Sequence, residues 1–467
     1  MSRDVFALDL THVEELLPRY TTDAPRYTSY PTAPVWKEDY GPEAFQADLG
    51  DAVSAGAPLS LYVHIPFCES LCHFCACNRI ITRDLSQAAR FLDVVEREIS
   101  AMRAWTAEPG LATQLHWGGG TPTYLDPEQI QRLHATLTEA FPLADGAEVS
   151  IEVDPRVTTP EHVRALRACG FNRVSMGVQD FDTKVQQAIH RIQPIDQTSE
   201  LVACARSEGF ASVNFDLIYG LPFQTEVSFA DTLDRVCEMR PDRVALYSYA
   251  HVTWLQKQQR GFERTDLPDP ATRIRIMLAS IRRFLDEGYV FIGLDHFALP
   301  EDELARSLSD RTLRRNFMGH TTQAETRLIG FGPSAISELR RSYAQSHRDL
   351  AGWQSAVEAG ALATLRGHAL SSEDVERRWI ISRIVCHGEL RADEFEAEFG
   401  HSLARAYAKE LESLEPALAD GLLVRRADGG FEVTPLGRLL VRNLATAFDA
   451  YLSEQRRAGQ RIFSKTV

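Results

Sequence analysis

The sequence predicts an α/β protein. A partial (β/α)6 TIM-like barrel with its extension occupies residues 58–350, an N-terminal arm covers 1–57, and a mostly helical, winged-helix-like domain covers 351–467. Three observations lead there. Strand-length apolar runs alternate with longer segments of helical period from Leu59 to Glu287, glycines and acids gather where the strands end, and the pattern turns to amphipathic helices beyond about residue 350.

The arm lacks the strand and helix rhythm. It contains Pro25-Arg-Tyr-Thr-Ser-Tyr-Pro-Thr32, whose prolines oppose a continuous helix, so this stretch reads as an ordered arm or a solvated leader. The alternation then gives six units: Leu59–Ile65 with Gln87–Met102, Thr113–Trp117 with Pro127–Ala140, Glu148–Val153 with Pro160–Cys169, Arg173–Val178 with Asp196–Ser207, Val213–Tyr219 with Glu226–Met239, and Arg243–Tyr249 with Ala271–Glu287. Such alternation calls for a parallel sheet with right-handed crossovers, and ligands then sit at the carboxyl ends of the strands. Tyr289–Leu294 reads as a further strand, followed by a loop-rich segment that includes Arg314 to Thr322 and Gly330 to Ser337. Ser372–Val385 and Ala392–Phe399 read as helices, and Leu422 to Thr434 as a hairpin turning at Asp428-Gly-Gly.

Composition sets the outer bounds. The chain has 467 residues, 44% of them hydrophobic, with a formal net charge of -15. That charge opposes nonspecific nucleic-acid binding, which relies on a basic surface. No run approaches a membrane span and Met1-Ser-Arg-Asp-Val-Phe has no signal pattern, so the expectation is a cytoplasmic protein. Cys169, Cys204, Cys237 and Cys386 stand singly and read as small buried hydrophobes.

The other four cysteines lie within ten residues, in Cys68-Glu-Ser-Leu-Cys72-His-Phe-Cys75-Ala-Cys77. Disulfides between such near neighbours would close only tiny loops, so a metal site is the better reading. Cys68, Cys72 and Cys75 can each hold a different iron of one cluster and leave the fourth iron open. The alternative is a structural zinc site with Cys77 as fourth ligand, although zinc ligands more often come from two separated knuckles. Gly118-Gly-Gly-Thr-Pro122 follows the second strand and lets the backbone approach a ligand; without a following Gly-Lys-Ser/Thr it is not a phosphate loop. Glu152, Asp154, Gln179, Asp180 and Asp216 end strands three to five and converge on one rim, though any one of them could cap a helix. Arg191 is placed to meet a carboxylate, and His64, His251 and His296 are given no metal role.

The Cys68-x3-Cys72-x2-Cys75 spacing after a first strand resembles the radical S-adenosylmethionine (SAM) enzymes. Further motifs narrow the likeness: the Pro25 to Thr32 arm, Tyr62-Val-His-Ile-Pro-Phe-Cys68, the extra Cys77, Trp117-Gly-Gly-Gly-Thr-Pro-Thr-Tyr124, Ser175-Met-Gly-Val-Gln-Asp-Phe181, Asp216-Leu-Ile-Tyr-Gly-Leu-Pro222, Asp295-His-Phe297 and Arg315-Asn-Phe317. Together they resemble the oxygen-independent coproporphyrinogen III oxidase (dehydrogenase) family, from residue 25 to Arg461-Ile-Phe-Ser near the C-terminus.

The resemblance implies one [4Fe-4S] cluster, two SAM molecules and a 5'-deoxyadenosyl radical, with no catalytic role for a protein side chain. It implies conversion of two propionates of coproporphyrinogen III to vinyl groups, giving protoporphyrinogen IX in haem biosynthesis. It also implies an external electron donor and acceptor and a tetrapyrrole substrate; from charge and hydropathy no nucleic-acid or membrane partner is expected, and the expected state is a monomer. By that likeness Cys68, Cys72 and Cys75 match cluster ligands and Cys77 matches a cysteine that is not one. Tyr62, Gly119, Glu152 and Ile336 match contacts to the SAM on the cluster. Phe74, Gly120, Thr121, Gln179, Arg191, Asp216 and Ala250 match contacts to the second SAM. Departures from the family form are His73, Ala76, Met318 and His320, and Met318 replaces a polar contact expected near the second SAM. The competing readings are a haem-carrying chaperone of the same fold, whose members lack the arm and the fourth cysteine, and a zinc-stabilised winged-helix regulator.

Overall fold

The strands that alternate along the sequence lie side by side in a computed structural model, which describes residues 10–54, 57–106, 110–253, 256–323, 326–452 and 463. Met1 to Phe6 and Arg461, Ile462 and Ser464, singled out above, lie outside these residues. The chain divides into two compact units, one of residues 36–276 and 323–369, the other of 1–35, 277–322 and 370–467.

The first unit holds the sheet. Its strands are β1 (Leu59–Ile65), β2 (Ala112–Gly119), β3 (Leu143–Val153), β4 (Arg173–Gln179), β5 (Ser212–Tyr219), β6 (Arg243–Ser248), β7 (Arg327–Phe331), β8 (Ile336–Glu338), β9 (Ser342–Ser346) and β10 (Thr364–Ala369). Their order is β10-β9-β8-β7-β1-β2-β3-β4-β5-β6. From β7 to β6 every pair is parallel, and the six predicted strands follow one another in sequence order with helical crossovers, the arrangement of a partial (β/α) barrel. The helices begin where local chemistry starts them. Asp126 accepts from Gln129 N at 2.9 Å and Gln129 returns the bond, with Pro127 next, so Pro127–Ala140 opens on a capping box. Buried Leu61, Val63, Ile65, Trp117, Ile151, Met176 and Phe215 pack the sheet from successive strands.

Two expectations are corrected in this unit. The segment expected to be loop-rich contains β7, a seventh parallel strand, because β1 offers it a ladder from Leu59 to Val63; Gly330 within it lies so close to Ile336 that a Cβ there would be 2.5 Å from the Ile336 carbonyl oxygen. The change of character expected at about residue 350 comes later, since β10 still pairs with β9 as far as Ala369. The chain after β7 is held by Glu98, from the buried face of the helix Ser86–Ala104, which accepts from Gly332 N at 2.7 Å and from Trp353 Nε1 at 3.0 Å.

In the second unit the Pro25 to Thr32 stretch proves ordered, and the expectation that the arm lacks helix is corrected in its described residues: Leu10–Tyr20 is helical, and Pro42–Ser54, beyond this unit's first segment, is helical too. Tyr27 donates to Asp449 Oδ2 at 3.0 Å, the Tyr30 hydroxyl accepts from Ala450 N at 3.1 Å, and Arg26 pairs with Asp295. Two buried tyrosines thus tie the Pro25 to Thr32 stretch to the C-terminal region. Val290–Gly293 forms an antiparallel hairpin with His296–Ala298. The helix Ser372–Ser382 runs on into a π-helical turn, Arg383–His387, and a three-stranded sheet, Glu389–Leu390, Phe431–Val433 and Leu423–Arg425, supplies the wing predicted around Asp428.

Burial pushes the Glu98 carboxyl up to about 7, whereas an unfolded glutamate titrates near ~4.3. The native state therefore keeps a proton that the unfolded state releases, and stability falls as pH rises through that window. Measured by urea unfolding of the ligand-free protein, Glu98→Gln is expected to lose about 2 kcal/mol less than the parent between pH 5 and 8.

Candidate active site

β1 leaves the sheet at Ile65, and the chain then makes a two-residue parallel bridge, Phe67–Cys68 with Ile80–Ile81. The bonds Ile80 N to Pro66 O at 2.7 Å and Thr82 N to Cys68 O at 3.0 Å close the base of the cysteine loop. Its tip is held from two later crossovers. His73 N donates to Ile189 O at 2.9 Å, Gln258 Nε2 to Cys75 O at 2.6 Å, and Gln259 Nε2 to Phe74 O at 3.2 Å and Ala250 O at 3.1 Å. Phe74 packs on a buried cluster of Val185, Ile189, Ile218, Leu221 and Tyr249.

Beside this loop runs the glycine stretch. Ile65 stands opposite Gly119 in the parallel register, and just beyond it Gly120 N donates to Ile65 O and Thr121 N to Phe67 O, both at 2.8 Å. Gly119 has φ +118°, and a Cβ there would lie 2.8 Å from the His64 ring; one on Gly120 would lie 2.6 Å from Pro66 O. Only glycine fits these positions. Thr121 Oγ1 comes within 3.4 Å of Cys68 Sγ.

Cys72 has cationic company. Arg156 Nη2 donates to its Sγ at 3.4 Å, and Arg191 Nη1 lies 3.7 Å away. Both guanidiniums are held by Asp154, at 2.6 Å and 2.9 Å, and Arg191 also donates to Gly177 O at 2.6 Å. Burial works against the Asp154 charge, but Arg191 and Arg156 outweigh it and hold the carboxyl at about 2. The thiols differ: burial pushes Cys68 up to about 11, while a hydrogen bond from Cys77 brings Cys75 below the usual thiol range.

The sheet side of the rim is acidic. Glu152 accepts from Gly119 N at 3.2 Å and lies 3.6 Å from His116 Nε2; burial opposes its ionisation, yet these donors keep it below the usual range. Asp216 accepts from Ser175 Oγ at 3.1 Å and Asn214 Nδ2 at 2.9 Å, and burial together with the Glu152 charge pushes it up to about 7. Tyr62 stacks on His116 with centroids 5.9 Å apart, and its hydroxyl lies 3.0 Å from His64 Nδ1. Gln179, at φ +67°, has a buried Oε1 without a hydrogen-bond partner among the described residues, an acceptor open to a ligand. Ile336 faces Gly330, itself in register with Tyr62.

Thus Tyr62, Gly119, Glu152 and Ile336 gather around the end of β1, and Gly120, Thr121, Gln179, Arg191, Asp216, Phe74 and Ala250 lie on the cysteine loop or on the loops and strand ends beside it. Sequence reasoning missed Arg156, His116 and Gln259. The first could have been found from Asp154-Pro-Arg156, an acid followed within reach by a guanidinium; the third acts through a fold contact that no motif announces. Met318 lies in the second unit, where its N donates to Asn316 Oδ1 at 2.9 Å in a hairpin turn. Among the described residues, no three His, Cys, Asp or Glu gather around a single ion.

A parallel sheet with a three-thiol loop and a glycine stretch at the end of its first strands defines a radical SAM core, and the radical SAM superfamily is matched over residues 62–236. A HemN C-terminal domain is matched over 370–440. The chain is 43% identical over 457 residues to the oxygen-independent coproporphyrinogen III oxidase of Synechocystis sp., covering 97% of each chain. It is 45% identical to the Escherichia coli K12 enzyme of that name, over 97% of this chain and 98% of the relative. The solved structure of coproporphyrinogen III oxidase (HemN) from Escherichia coli, a radical SAM enzyme, superposes with TM-score 0.88 at 45% identity, over 91% of this chain and 97% of that one. The chain belongs to the oxygen-independent coproporphyrinogen III oxidase family. With that membership come a [4Fe-4S] cluster, SAM and an oxidoreductase activity.

The glycine stretch leaves no room for adjustment. Gly120→Ala is expected to lower stability by about 1–3 kcal/mol, because the added methyl meets backbone rather than a movable side chain. Thermal unfolding of the ligand-free protein checks this.

Proposed function

We propose that the chain carries out anaerobic oxidative decarboxylation of two propionate side chains of coproporphyrinogen III, giving protoporphyrinogen IX. Each propionate loses one hydrogen atom, one carbon dioxide and one electron, which leaves a vinyl group. The observation that carries the reading is the cysteine loop bonded to the glycine stretch at the end of a parallel sheet, with two guanidiniums at Cys72.

The donor set fits a cluster. Cys68, Cys72 and Cys75 would hold three irons, Thr121 lies at Cys68, and Arg156 and Arg191 face the thiolate of Cys72. Cys77, beside Cys75 and exposed, is outside the set. When bound, a reduced cluster and SAM would supply a 5'-deoxyadenosyl radical as the hydrogen-abstracting agent. Tyr62, Gly119, Glu152 and Ile336 would position the SAM on the cluster, where the acidic Glu152 favours a cationic ligand. Phe74, Gly120, Thr121, Gln179, Arg191, Asp216 and Ala250 would hold the second SAM, to which Gln179 Oε1 offers an unspent acceptor. A catalytic region that starts at about residue 58 and runs past 350 to the end of β10 at Ala369, an external electron donor and acceptor, a monomeric state and a cytoplasmic location complete the proposal. No described helix is long and apolar enough to cross a membrane.

The test is anaerobic reconstitution with iron and sulfide followed by incubation with SAM, reductant and coproporphyrinogen III. Vinyl product supports the reading; haem retention without turnover would replace it with a carrier role, and tight zinc without an iron chromophore with a regulator. Changing Cys68, Cys72 or Cys75 to Ala is expected to abolish SAM cleavage, assayed as 5'-deoxyadenosine. Arg156→Met removes a cation beside a ligand sulfur and should disfavour reduction about tenfold, ~59 mV lower for one electron, whereas Asp154→Asn should raise the potential. Spectroscopic redox titration reads both signs.

A further inference from the structure

The cysteine loop is attached to an exposed strip that the proposed chemistry leaves unused. Ile81 and Leu85 are 43% and 64% exposed, large apolar side chains four residues apart directly beyond the loop. Arg83, between them in the chain, and Arg90, in the second turn of the helix Ser86–Ala104, are exposed, and half-buried Arg79 donates from Nη1 to Cys77 O at 2.8 Å. Of the acids nearby, Asp84 is exposed and accepts from Ser86 N at 3.1 Å and Ser86 Oγ at 2.7 Å, Glu69 is exposed, and Asp93 pairs with Arg132 at 2.7 Å, which leaves three guanidiniums against two carboxylates without an ion pair among the described residues. On a chain of net charge -15 this is a local excess of cations around an apolar centre.

The strip is also wired to a cluster ligand. Ile81 stands opposite Cys68 in the parallel bridge, and Thr82 N donates to Cys68 O at 3.0 Å. A molecule seated on Ile81 is therefore one backbone hydrogen bond and a few covalent bonds from an iron-bound sulfur.

We propose that the strip from Arg79 to Arg90 is the docking surface for an acidic protein that delivers single low-potential electrons. The inference rests on the radical SAM reading, which requires an electron from outside to reduce the cluster. A protein carrier has to approach the cluster closely and then leave, which suits a small patch with an apolar centre and a charged rim. Exposed guanidiniums attract an acidic partner and raise its encounter rate, while the overall negative charge discourages contact elsewhere. A second copy meeting the strip in an isologous contact would set arginines against arginines, so charge complementarity selects an acidic carrier.

Stopped-flow reduction of the reconstituted full-length protein, with reduced flavodoxin as the acidic carrier and dithionite as the small-molecule control, tests the assignment. The double variant Arg83→Glu with Arg90→Glu should lower the flavodoxin rate constant at least tenfold and flatten its dependence on salt, with the dithionite rate retained. Leu85→Asp should slow flavodoxin through loss of the apolar contact, again with the dithionite rate retained. Parental flavodoxin rates in both variants overturn the proposal, as does a change in oligomeric state without a change in those rates. If the parent protein holds no dithionite-reducible cluster, it is the radical SAM reading that fails.

Discussion

The site depends on a backbone splice between the exits of β1 and β2. Parallel register sets Ile65 against Gly119, and the next two amides, Gly120 and Thr121, donate to Ile65 and Phe67. Cys68 follows Phe67 directly, so the first thiol is fixed against the glycine stretch by ladder hydrogen bonds rather than by side-chain packing. Backbone bonds of this kind tolerate little displacement, and the glycines are required because His64 and Pro66 occupy the space where a Cβ would stand.

Around that splice the charges separate. Asp154 anchors two guanidiniums toward Cys72, while Glu152 and Asp216 hold negative or proton-retaining groups along the ends of β3 and β5. The first side suits anionic thiolates and the second a cationic ligand. The same Asp154 would be an unfavourable neighbour for thiolates if its guanidiniums were absent. Its arginines turn a repulsive acid into the mount for two hydrogen-bond donors.

Much of this was legible in the residues. Leu59–Ile65, Pro127–Ala140, Glu226–Met239 and Ala392–Phe399 have the predicted bounds, because each has clear apolar periodicity and defined ends. β7 was missed: five residues with a glycine in fourth place carry no period, and the strand exists because β1 offers it a ladder. The helices of the arm were missed because Pro25 and Pro31 dominated the reading of a segment whose helices lie on either side. Gln259 was invisible for another reason, since its target Phe74 is far away in sequence; Arg156 had a local sign in Asp154, but its contact with Cys72 did not.

The sequence by itself determined the alternation that makes the sheet parallel, the three-thiol spacing and the glycines beside it, since each is a local property of neighbouring residues. Only the tertiary structure decided which charges meet those thiols and where the unspent acceptor of Gln179 lies. It also decided that Ile81 is joined to Cys68. Those facts come from crossovers that return distant segments to one sheet edge, and no short window of sequence contains both partners.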